Sequence, residues 1–450
     1  MTFISVITLR SFLEFTLIEQ DANWRGPWLN AVFTHYTFFY IAIALSIIVL
    51  FYLITGQKIT DVARAVMVSF SILNIVPIID RAFGFNNLYR PGYFIPGQYS
   101  GSLLTKYFTF FGPLAHFGVT PGMRTEILLM MIASGIYTWT VTGRLWRGIL
   151  GGLGFYSVVF IFLILPALIN QFYKLDLGSP RATTGIFIDL YLAASLGLGS
   201  FIFYTAEPAI FKALIKDIRL ERLLYYVLLV FLGMAYSVKP YVYLNGAHNL
   251  LGDLFSLSAS LVLAFLFSII TNNLADKKID RISNPDRPTI AATIPEPVYR
   301  SIAWWCLAGA ILLAAKVSPR ALIIISTFIG AYFIYSMPPL RLKRIPVLSK
   351  GLIGFNSLLM FMQGYVFING TTTIPENIII FFLVFTSLSA NFIDLKDIQG
   401  DRAAGIRTLP VLTGERWGHC LIGVISFPTY IAAYWIFALK GCFWLCLIMG

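Results

Sequence analysis

Charge is scarce in this sequence. Only 12% of its 450 residues are Asp, Glu, Lys or Arg, while 58% are hydrophobic and the mean hydropathy is +0.78. A soluble globular chain carries roughly twice that charged share. An ordinary soluble domain is therefore excluded, and an all-α, polytopic helical membrane protein is expected. Period-two alternation is missing too: the apolar stretches run continuously, which excludes a β-barrel. Cysteine is rare, and Cys306, Cys420, Cys442 and Cys446 sit in or beside apolar runs. That excludes a disulfide framework and a CxxC site. The four histidines, His35, His116, His248 and His419, are scattered and build no metal centre. The net charge is +12, but no long basic stripe exists that could track a nucleic-acid backbone, so no nucleic-acid partner is expected. The charge instead suits orientation in a membrane and attraction to anionic lipid or phosphate. Residues 1–20 lack a basic n-region and a small-residue cleavage site, so no signal peptide is expected.

What the chain has in abundance is long apolar runs. Residues 1–34 suggest an interfacial segment, followed by spans at Phe38–Leu53 and Val62–Ile79. Residues 81–103 are rich in Gly, Pro, Tyr and Asn and indicate a loop; Leu103–Val119 is a span or a re-entrant segment. Glu126–Val141, Ile149–Phe172 and Ile186–Tyr204 complete a first half of five or six helices. Residues 206–222 interleave Lys212, Lys216, Arg219 and Arg222 with Ile, Phe and Leu, a basic amphipathic helix for the membrane surface. The expected division is thus 1–205, a membrane domain of unassigned role; 206–222, the interfacial helix; and 223–450, a second membrane domain. Spans there fall near 223–238, 250–271, 301–316, 320–336, 351–368, 376–393 and 418–438, with a last apolar piece to Gly450.

In this second half, every alternate loop is basic. Residues 277–300, 341–350 and 396–416 carry most of the lysines and arginines, and the intervening connections carry few. By the positive-inside rule these three loops share the cytoplasmic side, most simply of a plasma (inner) membrane.

Two of those loops open on regularly spaced acids. Asn272, Asp276 and Asp280 recur every four residues after an apolar run, so on a continuing helix they share one face. Asp397 and Asp401 repeat that spacing after a second run, with Asp394 just before them. A hydrophobic chain has little reason to align carboxylates at a helix end unless a cation or polar cavity holds them. Four aspartates suit two Mg²⁺ ions and, through them, a diphosphate. Asn272 has an amide oxygen to offer a metal, whereas Asn273 points roughly 100° away around the helix. Arg287, Arg341, Lys343 and Lys396 stand next to the motifs and suit the outer diphosphate oxygens, with orientation or lipid contact as the rival for Arg341 and Lys343. The plainer alternative for the acids is interfacial pairing with Lys277, Lys278, Arg281 and Arg402. Equal spacing in two motifs on one membrane face argues against it.

These residues also carry a resemblance. Asn272-x₃-Asp276-x₃-Asp280, followed by Arg281 to Pro288, closely resembles the first signature of the UbiA superfamily of intramembrane prenyltransferases. The stretch from Asp394 through Lys396, Asp397 and Asp401 to Pro410 resembles the second, and Tyr335 to Lys343 the middle motif. The likeness covers about residues 210 to 450. It implies a bundle of up to nine helices around a cavity open to the bilayer, preceded here by an additional N-terminal membrane domain. It implies Mg²⁺-assisted loss of diphosphate from an allylic polyprenyl diphosphate and capture of the carbocation by a hydrophobic acceptor. Asp276, Asp280, Asp397 and Asp401 would bind metal, with Asn272; Asp394 would orient Lys396 or serve as a further ligand. The second motif looks more like the lipid, tocopherol and chlorophyll branches than the hydroxybenzoate branch. Asn273 stands where the family usually has Asp. The last family helices look missing or short, and on that expectation the cavity wall would be completed by the N-terminal half or by another protomer of a homo-oligomer. From a different class, the same residues fit a catalytically inactive membrane scaffold or a cation-coupled transporter.

Overall fold

The computed structural model describes residues 2–437 except 15, 18–26, 85–89, 92–101, 113–116, 174–179, 238–246, 278–279, 282–284, 286, 289, 396–397, 404 and 406–407. The chain divides into two compact units, Met1–Pro208 and Ala209–Gly450. Among the described residues, ten helices are long and apolar enough to cross a membrane. This is an all-α integral membrane protein.

The first unit packs α1 (Thr2–Glu14), α2 (Pro27–Thr55), α3 (Ile59–Ser69), α4 (Val76–Ala82), α5 (Leu103–Phe108), α6 (Pro121–Thr142), α7 (Leu145–Tyr173) and α8 (Pro180–Ala206). Its core is aliphatic and aromatic: Ile43, Ile47, Phe51, Phe155, Tyr156 and Phe160 are all buried. Thr120 caps α6 by accepting the Met123 N–H, and Pro121 at the first helical position gives up no hydrogen bond. Asp80 receives the Thr120 hydroxyl and the Gly122 N–H at 2.6 and 2.7 Å, which fastens α4 to α6. Of the span or re-entrant segment expected at Leu103–Val119, the span is not found among the described residues. Helix α5 stops after six residues because Phe110, Phe111 and Gly112 turn to positive φ and the Phe111 ring drops into the core.

The second unit runs α9 (Pro208–Asp217), α10 (Leu220–Tyr236), α11 (Ala247–Ala275), α12 (Glu296–Val317), α13 (Pro319–Ser336), α14 (Pro346–Asn369), α15 (Glu376–Leu395), α16 (Ile398–Ala403), α17 (Leu409–Thr413) and α18 (Glu415–Phe437). The expected single helix over 206–222 is two helices: the backbone leaves helical geometry at Arg219 (φ −78°, ψ 82°) before α10 begins. Proline sits in the first turn of α12, α13 and α14, where its missing N–H costs nothing. Helix α15 contains a π-turn at Phe381–Thr386 and tightens to a 3₁₀ turn at Ala390–Leu395, so its side chains are re-aimed midway. The residues after 437 lie outside the described part, and with them the last apolar piece.

Helices α10 and α14 touch backbone to backbone. A Cβ on Gly364 would lie 1.8 Å from the Val230 carbonyl oxygen, and one on Gly233 would lie 2.0 Å from that of Phe361. In a membrane, where apolar burial gives helices no preference for one another over lipid, such close approach is a principal source of attraction. Gly364→Leu should therefore push α10 off α14. We expect a loss of about 2–3 kcal/mol, as for overpacked cores, seen as a lower thermal midpoint in detergent. An unchanged midpoint would show that this contact does not hold the unit together.

Candidate active site

The second unit encloses a cavity of about 1020 Å³. One end is charged, with Asn272, Asp276, Asp280, Arg287, Lys343 and Asp394 in its wall; the remainder is lined largely by apolar and aromatic side chains, among them Tyr226, Tyr332, Phe381, Phe382 and Phe437. The volume is at the upper limit of small-molecule sites, so it has room for a long apolar chain.

The first acidic motif is built as its spacing demands. Helix α11 formally ends at Ala275, yet the Asp276 N–H bonds the Asn272 carbonyl and the Asp280 N–H bonds that of Asp276, each at 2.9 Å. Asn272, Asp276 and Asp280 all line the cavity. Ser336, at the end of α13, donates its hydroxyl to Asn272 Oδ1 at 3.0 Å and fixes that amide.

Each described acid of the two motifs is met by a cation from elsewhere in the chain. Asp276 is held by Arg341 Nη2 at 2.7 Å and by Lys343 Nζ. Asp280 is held by Arg287, and Asp394 by Lys350. Burial pushes the Lys343 ammonium below its ordinary value, with Asp276 opposing that shift. Arg341 reaches its partner from a left-handed backbone (φ 42°), where the turn after Pro339 reverses the chain. The local pairing of Lys277 with the motif acids does not occur; Lys277 bonds Glu296 instead, at 2.9 Å.

The positions of the second motif are partly described. Lys396 and Asp397 lie outside the described residues, and so does the Asp401 side chain, whose backbone is in α16. Asp394, expected to orient Lys396 or ligate metal, is buried and faces Lys350 on α14. Among the described residues no three His, Cys, Asp or Glu side chains converge on one metal position. Asp276 and Asp280, with the Asn272 oxygen, supply hard oxygen donors at a place that already stabilises positive charge, and this fits a hard divalent cation.

Asn273 proves to be a structural hub. It is fully buried; its Nδ2 donates to both Asp217 oxygens and to Tyr299, each at 3.0 Å. Its Oδ1 accepts from Arg287 at 3.1 Å and from Arg219 at 3.2 Å. It is therefore turned away from Asn272, as its place on the helix predicts, and ties α9, α11 and α12 to the charged end. Nothing in its sequence position signalled Asp217, Arg219 or Tyr299 as partners. Lys350 was likewise missed, because its partner lies 44 residues away.

A family model described as UbiA prenyltransferase family matches residues 222–450. The digeranylgeranylglyceryl phosphate synthase of Methanoculleus marisnigri is 30% identical over 200 residues, 40% of this chain and 70% of that protein. The synthase of the same name from Sulfurisphaera tokodaii is 26% identical over 242 residues, 47% of this chain and 86% of that protein. The bacteriochlorophyll synthase 33 kDa chain of Cereibacter sphaeroides is 27% identical over 151 residues, 32% of this chain and 48% of that protein. Among solved structures, a UbiA homolog from Archaeoglobus fulgidus bound to GPP and Mg²⁺ is similar with a TM-score of 0.44 and 19% identity, over 53% of this chain and 82% of that one.

Proposed function

The chain belongs to the UbiA prenyltransferase family, and from that premise we propose that it moves a polyprenyl group from an allylic diphosphate to a hydrophobic acceptor inside the membrane, with Mg²⁺ as cofactor. The supporting observation is one cavity whose charged end carries Asn272, Asp276 and Asp280 and whose body is aromatic. Asp276, Asp280, Asp397 and Asp401 are the metal-binding acids, joined by Asn272 and Asp394. Arg287, Arg341, Lys343 and Lys396 take the diphosphate oxygens. Bound Mg²⁺ supplies Lewis-acid neutralisation of the diphosphate as it departs.

The chain's own residues do the rest. In the ligand-free pairing, the cations assigned to the diphosphate sit on the acids assigned to the metal. With donor bound, Arg287, Arg341 and Lys343 would exchange a carboxylate for phosphate oxygens, and Asp276 and Asp280 would be left to hold the metal, so that no buried charge is unmatched. The bond from the allylic carbon to oxygen then breaks, and the diphosphate leaves with the electron pair. Tyr226, Tyr332 and the Phe381–Phe382 pair wall the cavity; their faces favour positive charge, and their bulk excludes the water that would quench it. The acceptor's nucleophile closes on the cation and passes its proton to the departing diphosphate.

The names of the relatives favour a glycerol-phosphate lipid acceptor over a tetrapyrrole one, and the basic loops favour a cytoplasmic charged end in a plasma (inner) membrane. We assign catalysis to residues 223–450, with 1–205 as a separate membrane domain joined through the basic segment 206–222.

The test is diphosphate release from geranylgeranyl diphosphate by the full chain in lipid, with a membrane-lipid extract as acceptor pool. Release should require Mg²⁺, stop on chelation and return on re-addition, and mass spectrometry should find the prenylated lipid. Calorimetry should show Mg²⁺ binding at least about tenfold tighter with the donor present, because the cation exchange couples the two. Mg²⁺ binding without release, across several prenyl lengths, would favour the scaffold or transporter reading.

A further inference from the structure

The cations around the acids are committed: Arg341 and Lys343 to Asp276, Arg287 to Asp280, Lys350 to Asp394. Two others border the same cavity without such a commitment. Arg219 and Arg222, at the start of α10, line it, and among the described residues neither makes an ion pair with a carboxylate. Asp217 is nearby but turned to Asn273 and Tyr299, and Glu221 in the same turn pairs with neither arginine.

The arrangement concentrates positive charge. Arg219 and Arg287 both donate to the single oxygen Asn273 Oδ1, so their guanidinium groups are held side by side. Burial pulls Arg219 down to about 10; the nearby charges of Arg222 and Arg287 add to the effect, and those of Asp217 and Asp280 oppose it. Like charges held together in a partly dry site are costly unless an anion joins them. Guanidinium groups suit phosphate in particular, because their paired N–H bonds match two phosphate oxygens.

We propose that Arg219 and Arg222, backed by Arg287, form a phosphate-binding subsite in the cavity wall at the start of α10, and that it holds a phosphate monoester carried by the acceptor. The inference rests on the prenyl-transfer reading and deepens it. The donor's diphosphate already has Arg341, Lys343 and Lys396 assigned to it, with Arg287, which bonds both Asp280 and Asn273, shared between the two sites. An acceptor phosphate held at Arg219 and Arg222 would keep the acceptor's head at the charged end while its nucleophile faces the donor's reactive carbon.

The test uses the full chain in neutral-lipid nanodiscs and two titrations. One adds a short-chain glycerol-phosphate lipid, with the matching phosphate-free diglyceride as control. The other adds geranylgeranyl diphosphate with Mg²⁺. In Arg219→Gln and Arg222→Gln the phosphate lipid should bind roughly tenfold more weakly or worse, with Arg222→Lys in between, as expected for a charged hydrogen-bonded contact. Donor affinity should change less than about threefold, well under the 1.4 kcal/mol of a decade. Arg222 is exposed, so its variants keep the fold even if Arg219→Gln disturbs Asn273. Equal binding of the phosphate lipid and the diglyceride by the unaltered protein would overturn the proposal. So would weakened donor binding with unchanged lipid binding, which would give the arginines to the donor's diphosphate. Failure of the unaltered protein to bind donor would instead count against prenyl transfer, leaving the lipid titration to judge the subsite.

Discussion

Asp276→Asn should lower turnover by roughly 10²–10³-fold, the cost of deleting one preorganised electrostatic partner of a transition state. The substitution keeps the size of the side chain and removes only the charge. Asp276 stands in the centre of the motif, between Asn272 and Asp280, and borders the cavity with both. An amide is a poor metal ligand beside a carboxylate, so metal held through this position should weaken, and the diphosphate should leave less readily. The same change frees Arg341 and Lys343, which now hold Asp276. Donor affinity without metal should therefore hold or rise while turnover falls, and that split separates a catalytic loss from misfolding. Stabilisation of the folded protein by Mg²⁺ plus donor should shrink in parallel. Turnover within about threefold of the unaltered protein, under 1 kcal/mol of barrier, would remove Asp276 from the metal site.

This prediction was legible in the sequence because its cause is local. A four-residue period needs only a helix to become a shared face, and past the formal end of α11 the Asp276 and Asp280 N–H groups still bond the carbonyls four residues back. The membrane character was legible for the same reason: hydropathy sums over neighbours, and ten spanning helices occur among the described residues, although the expected spans at Glu126–Val141 and 223–238 are not among them, α10 being 17 residues long. Three features were not legible. The break at Arg219 goes with a side-chain bond to Asn273, 54 residues on, which a propensity reading that runs one helix through 206–222 does not see. The end of α5 depends on the Phe111 ring finding a buried place, which hydropathy reads only as more apolar run. The partners of the acids are long-range as well: Asp276 is met by residues 65 and 67 positions away, not by adjacent Lys277. The middle motif pointed to Arg341 and Lys343 as cations near the site. Only the fold makes them the counter-charges of the first motif.

Lys350→Met should be the most destabilising single change in the second unit. Lys350 and Asp394 are both buried, and each is the other's close ionic partner across α14 and α15. Methionine fills similar volume and leaves the buried Asp394 carboxylate without the Lys350 ammonium. Breaking a buried pair in this way costs about 3–5 kcal/mol, whereas replacing both members with uncharged residues is often nearly neutral. Adding Asp394→Asn to Lys350→Met should thus recover most of the lost thermal stability, and the double-mutant cycle should give a coupling of about 2 kcal/mol or more. A coupling near zero would mean that the pair contributes nothing. The same variants bear on the role of Asp394. If Asp394 is a metal ligand, Mg²⁺ with donor supplies the positive charge that Lys350 no longer provides. Those ligands should then raise the melting midpoint of Lys350→Met by more than that of the unaltered protein, and raise the double variant by less. Equal shifts in all three would confine Asp394 to holding the end of α15 against α14, and would leave the second motif's metal chemistry to Asp397 and Asp401.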